Sequence, residues 1–136
     1  MMNKLRLLSI VALLSTGSTA LADRVTVQMT SYNSEVSQTD STPFITSTGM
    51  RVRYGIVAAS PNLIRKYGYG AKVRVVKYIG GRGCGRSVPI GSVFTIQDST
   101  AASKYNTVDF WSPSKTNSLK FGRCTVIVDI TKGWQE

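Results

Sequence analysis

Apolar and polar residues alternate at period two along much of the chain beyond residue 23, the mark of strands with one buried face. Arg24 to Tyr32 alternates through Val25, Val27 and Met29, and Ala71 to Ile79 does so through Val73 and Val75 on either side of Arg74. Cys124 to Ile130 alternates most strongly. Gly55 to Ala59 and Val93 to Gln97 are short apolar runs that read as buried strands, and Val108 to Trp111 reads as a short extended segment. Two stretches depart from this pattern. Ser60-Pro61-Asn62 combines an N-cap residue with proline at the first helical position, and Gly68 supplies a stop, so a short helix is predicted over 61–67. Ser112 to Phe121, closed by Gly122, predicts a second helix. Residues 33–47, which carry Thr42-Pro43, and the glycine- and arginine-rich 80–87 read as loops. Six short strands with one or two small helices predict a mainly β fold, a compact six-stranded β-barrel.

The first residues have a different character. Lys4 and Arg6 precede an apolar run from Leu7 to Leu14, and small and polar residues then lead to Ala20-Leu21-Ala22. This order predicts a signal peptide over 1–22, cleaved before Asp23, with one domain over 23–136. The apolar run is too short to span a bilayer, and no later segment approaches that length. A periplasmic or secreted location is expected, without a transmembrane segment.

Seventeen basic residues against seven acidic ones give a formal charge of +10, and loss of Lys4 and Arg6 with the leader lowers it by two. Outside the cytoplasm the abundant polyanions are peptidoglycan carboxylates, lipopolysaccharide phosphates and anionic lipid, on which a cationic surface raises local concentration. General solubility is the plainer use of the same charge. Arg51, Arg53, Arg65, Lys66, Lys72 and Arg74 are spread out and form no dense run, so a nucleic-acid partner is not expected.

The two cysteines, Cys84 and Cys124, are expected to form one disulfide in an oxidising compartment. Closing a loop of about forty residues would stabilise the fold by roughly 4 kcal/mol in the chain-entropy picture. A catalytic thiol would lack a histidine to activate it, because the chain has none. The same deficiency argues against zinc, and no metal or organic cofactor is expected.

Chemistry concentrates in Gln97-Asp98-Ser99-Thr100 and Val108-Asp109-Phe110-Trp111, where two of the few carboxylates lie eleven residues apart beside apolar strand residues. Each aspartate sits where an apolar run meets a polar turn and could project from a strand end into a cleft, where partial burial favours proton transfer. The alternative is local: Asp98 capping its own turn and Asp109 bonding a nearby loop. Two carboxylates in unlike environments would split their proton affinities, the division of labour that glycosidic cleavage uses. A Ser-His-Asp site is excluded, and Gly80-Gly81-Arg82-Gly83 is no phosphate loop because no Gly-Lys-Ser/Thr follows. Tyr32, Tyr105, Phe110 and Trp111 could stack on sugar faces, with core packing the stronger expectation for Phe110 and Phe121.

Several segments in order, Thr30-Ser31-Tyr32-Asn33, Thr39 through Thr46, Gly55 through Pro61, Gln97-Asp98, Val108 through Trp111 and Phe121-Gly122-Arg123, resemble the three-aspartate domain family over nearly all of residues 23–136. That family adopts a double-psi β-barrel and is similar to the catalytic domain of membrane-bound lytic transglycosylase A. The resemblance implies cleavage of the bond between N-acetylmuramic acid and N-acetylglucosamine without water, leaving a 1,6-anhydro end. It implies Asp109 as general acid/base and Asp98 as the carboxylate that positions it. Thr46 matches a substrate-side polar position, and Ser60, Trp111 and Tyr32 are the further substrate-binding candidates. The chain departs from the family where Ser60 replaces an aspartate, and where Ser99-Thr100-Ala101 follows Asp98 in place of Thr-Gly-Gly.

The expectation is therefore an exported peptidoglycan lytic transglycosylase acting as a monomer on glycan strands, for wall remodelling or as a lysis factor. Its rival is a non-catalytic module of the same fold that holds glycan or another envelope polymer, a reading that the loss of an acid at Ser60 favours.

Overall fold

The computed structural model describes residues 21–32, 45–81, 88–113 and 121–133. Among these residues six strands and one helix follow in order: β1 (Asp23–Tyr32), β2 (Ile56–Ala59), α1 (Pro61–Tyr67), β3 (Lys72–Gly80), β4 (Val93–Ser99), β5 (Thr107–Trp111) and β6 (Cys124–Thr131). The strands close into a barrel in the order β1-β5-β2-β4-β3-β6, so the mainly β, six-stranded expectation holds. Two pairs are parallel, β1 with β5 and β2 with β4, and the other four are antiparallel. Residues 1–20 of the expected leader, Cys84, and residues 114–120 of the expected second helix lie outside the described residues.

Period-two alternation fills the barrel. Val27 and Met29, Val57 and Ala59, Val73 and Val75, Phe94 and Ile96, Val108 and Phe110, and Val126, Val128 and Ile130 all turn inward and are almost wholly buried. Phe110 lies at the centre of an aromatic cluster, 4.8 Å from Phe121 edge-to-face and 5.6 Å from Phe94 between ring centroids, which assigns Phe110 and Phe121 to the core. Cys124 is buried and disulfide-bonded.

The helix begins and ends where Ser60-Pro61 and Gly68 predict. Pro61 starts it, Arg65 and Lys66 lie in the last turn where cations suit the helix dipole, and Gly68 leaves it at φ 84°. Among the described residues no helix is long and apolar enough to cross a membrane.

The strands deliver the aspartates differently from the expectation. β4 continues through Ser99, so Asp98 lies inside a strand and not past its end, and Asp109 occupies the middle of β5. Along β2 and β4 the register passes from Val57–Ile96 to Ala58–Asp98, leaving Gln97 as an extra residue. This bulge resets the alternation: with Ile96 inward, a regular strand would turn Asp98 inward as well, whereas here it stands on the outer face beside Ala58.

Candidate active site

Ala58 is the register partner of Asp98 on one side and of Asp109 on the other, and Asp109 is in turn the partner of Thr30. Cross-strand partners point to the same face. One row on the outer barrel wall therefore reads Asp98, Ala58, Asp109, Thr30 across four strands. Ala58, small and buried, lies between the two carboxylates, whose strands β4 and β5 are two strand spacings or about 9.6 Å apart between backbones.

Asp109 is half-buried, and its hydrogen-bond donor is the Thr30 hydroxyl, Oγ1 to Oδ1 at 2.9 Å. Loss of water around the carboxylate pushes its pKa up to about 6. The Thr30 hydrogen bond and the charges of Lys104 and Arg123 oppose that rise, while the like charge of Asp98 adds to it and is a lesser influence than burial, Thr30 or Lys104.

Asp98 is held by donors on every side. Its Oδ1 accepts from the Ser47 backbone N–H at 2.9 Å, the Ser47 hydroxyl at 2.7 Å and the Ser99 N–H at 2.9 Å. Its Oδ2 accepts from the Tyr32 hydroxyl at 3.3 Å. Four neutral donors suit an ionised carboxylate, which only accepts. Tyr32 is buried, and burial followed by the nearby charges of Asp98 and Asp109 raises its pKa far beyond the ordinary phenol range, so it remains a donor. Trp111 is the register partner of Tyr32, half-buried on the same face.

Two of the expected substrate-side residues serve the scaffold. Thr46 is buried, and its hydroxyl accepts from the Met50 N–H within the turn closed by the Ile45–Arg51 bridge. The adjacent Ser47, which sequence reasoning passed over, is the residue that reaches Asp98. Thr48 was missed as well: its hydroxyl donates to the backbone carbonyl of Gln97 at 3.1 Å, satisfying a group at the bulge.

Ser60 has no exposed surface. It donates to Asn62 Oδ1 at 2.7 Å and accepts from the Thr107 N–H at 3.0 Å, while Asn62 bonds both the side chain and the N–H of Asn106. This network ties the start of α1 to the start of β5, two residues before Asp109. Ser60 thus steadies the strand that carries the acid, and the network includes neither aspartate.

Among the described residues no group of three or more His, Cys, Asp or Glu side chains comes together where it could hold a metal ion. What the row can do is move a proton: Asp109 can hold or release one near neutral pH, beside an acceptor kept in place by four donors. No protein-family model matches the chain, and no curated protein matches it.

Proposed function

We propose that the chain is an exported peptidoglycan lytic transglycosylase, built on a double-psi β-barrel of the three-aspartate type. The observation that carries this reading is the Asp109 carboxyl, half-buried in the middle of β5 with its pKa raised to about 6 and in line with Asp98 across Ala58. Two parallel strand pairs within a six-stranded ring support the double-psi assignment.

The chemistry follows from one group that both gives and takes a proton. Protonated Asp109 donates to the glycosidic oxygen as the bond to the N-acetylmuramic acid C1 breaks. Its carboxylate then takes the proton of the sugar's own 6-hydroxyl as that oxygen bonds to C1, closing the 1,6-anhydro ring without water. A pKa near 6 serves both halves, since neither protonation state is rare near neutrality. Asp98 is a positioning residue whose charge favours the positive character that develops at C1. Trp111 is half-buried on the same face, where an aromatic edge can meet a sugar ring, and the buried Tyr32 beside it holds Asp98.

A second reading is supported by Ser60. A family carboxylate is absent there and the serine is buried in a scaffold network, so the site has two acids and not three. On this reading the barrel binds glycan without cutting it.

Mass spectrometry of soluble fragments released from peptidoglycan by the purified protein, beside Asp109→Asn, separates the two. Anhydro-ended fragments from the parent alone are the expected result. Reducing ends would indicate hydrolysis, and wall binding without fragments would favour the binding module.

A further inference from the structure

Two cations bear on Asp109, Lys104 and Arg123. Lys104 lies in the β4–β5 connection, where its N–H closes a turn on the Ala101 carbonyl at 3.1 Å. Arg123 immediately precedes β6. The antiparallel register pairs Met29 with Cys124, and continuing it by one residue sets Arg123 opposite Thr30, extending the outer row to Arg123, Thr30, Asp109, Ala58, Asp98. Cys124 is buried and inward, so alternation turns Arg123 outward with Thr30.

Both cations are exposed, and among the described residues neither side chain has an ion-pair or hydrogen-bond partner. Arg24, by contrast, is engaged by Asp129, and Lys66 by Asp23. The backbones that carry the two are nevertheless braced. Arg123 adjoins the disulfide-bonded Cys124, and the connection bearing Lys104 ends at Asn106, anchored by Asn62. Braced backbone with unengaged charge beside an acid is a poor arrangement for stability and a good one for capturing an anion.

We propose that Lys104 and Arg123 form an anion subsite next to Asp109 that takes a carboxylate carried on the lactyl-peptide arm of N-acetylmuramic acid, an inference that rests on the peptidoglycan reading. The groups that bear on Asp109 are Thr30 and Tyr32 from β1, Asp98 from β4, Lys104 and Arg123; Ala58 of β2 has no charge. A bound carboxylate would neutralise the two cations that favour ionised Asp109. An anionic strand would then help to protonate the acid that cleaves it.

The test is binding by Asp109→Asn of three glycans of equal length: neutral N-acetylglucosamine oligomers, peptide-free strands with a free lactyl carboxylate, and strands bearing peptide stems. The expected result is about tenfold tighter binding of at least one acidic glycan than of the neutral one. Preference for peptide-free strands assigns the lactyl carboxylate, and preference for stem-bearing strands assigns the stem. Adding Lys104→Met and Arg123→Met should remove the preference and keep neutral binding, which reports in the same protein that the fold survives. Equal binding of all three glycans by Asp109→Asn, or a preference that outlives both substitutions, overturns the subsite and leaves the glycan reading standing. Binding of none would instead count against the glycan reading itself.

Discussion

Thr30 and Asp109 are register partners on the parallel strands β1 and β5, and the Thr30 hydroxyl donates to the Asp109 carboxylate at 2.9 Å. The bond favours the ionised acid and so opposes the burial that raises its pKa to about 6. Thr30→Val keeps the β-branched shape and removes the donor, so the pKa should move above 6. Carboxyl carbon NMR on the folded protein reads that midpoint directly. A midpoint that stays put or falls would mean the hydroxyl does not tune the acid, and pH–activity profiles should shift in the same upward direction.

Asp109 should also cost the protein stability at neutral pH. Its pKa rises from the ordinary 3.8 to about 6 on folding, so the folded state holds the proton more tightly. Its contribution to folding is therefore complete below about pH 4 and is lost as pH rises through 6. For a carboxylate that is only half-buried the loss is about 2 kcal/mol. Asp109→Asn cannot ionise and should gain that amount over the parent between pH 4 and pH 8, seen as a difference in urea midpoints that grows with pH. Titration of other groups, such as Asp129 beside Arg24, cancels in the comparison.

Three of the four hydrogen bonds to Asp98 come from Ser47 and Ser99, so the carboxylate fastens the 45–51 turn to β4. Asp98→Ala strands the Tyr32 hydroxyl and the Ser47 donors and should cost about 1–3 kcal/mol. Ser47→Ala removes one hydroxyl and should cost under about 1 kcal/mol, with a larger fractional effect on activity if Asp98 positions Asp109. Chemical denaturation beside fragment release measures the two effects separately.

Much of the barrel is legible in the chain because each strand has a strict inward set, as Val73 and Val75 or Val126 and Val128 illustrate. Helix 61–67 is equally plain, since proline at N1 and a glycine at positive φ are local demands. Asp98 is less legible. Alternation from Phe94 and Ile96 would turn it inward, and only the bulge at Gln97 brings it to the face of Asp109. A bulge depends on the partner strand, so period-two reading cannot place it. Ser47 was hidden for a related reason: within a polar, Ser/Thr-rich stretch, nothing local separates it from Thr46, and the 45–51 turn decides which hydroxyl faces Asp98. Ser60 reads as an N-cap, yet its hydroxyl bonds Asn62 and Thr107, contacts that depend on how β5 is packed.

Gly81 provides a test of how firmly Arg123 is placed. It lies just beyond β3 at φ 94°, a conformation that residues with a side chain rarely adopt, and a Cβ added there would sit 2.8 Å from the Arg123 carbonyl oxygen and 3.1 Å from Cys124 Sγ. The first of these is backbone, and the second belongs to a disulfide, so neither can swing aside. Gly81→Ala therefore combines backbone strain with overpacking and should destabilise the fold by about 1–3 kcal/mol in chemical denaturation. Relief of the clash requires the chain at Arg123 to move away from Gly81 and from the end of the outer row. If Arg123 helps to select acidic glycan, the substitution should also reduce that selectivity under conditions where the protein remains folded. Parent-like stability would mean that the chain near Gly81 has room to shift, and Arg123 would then be less firmly braced than its neighbours Gly81 and Cys124 imply.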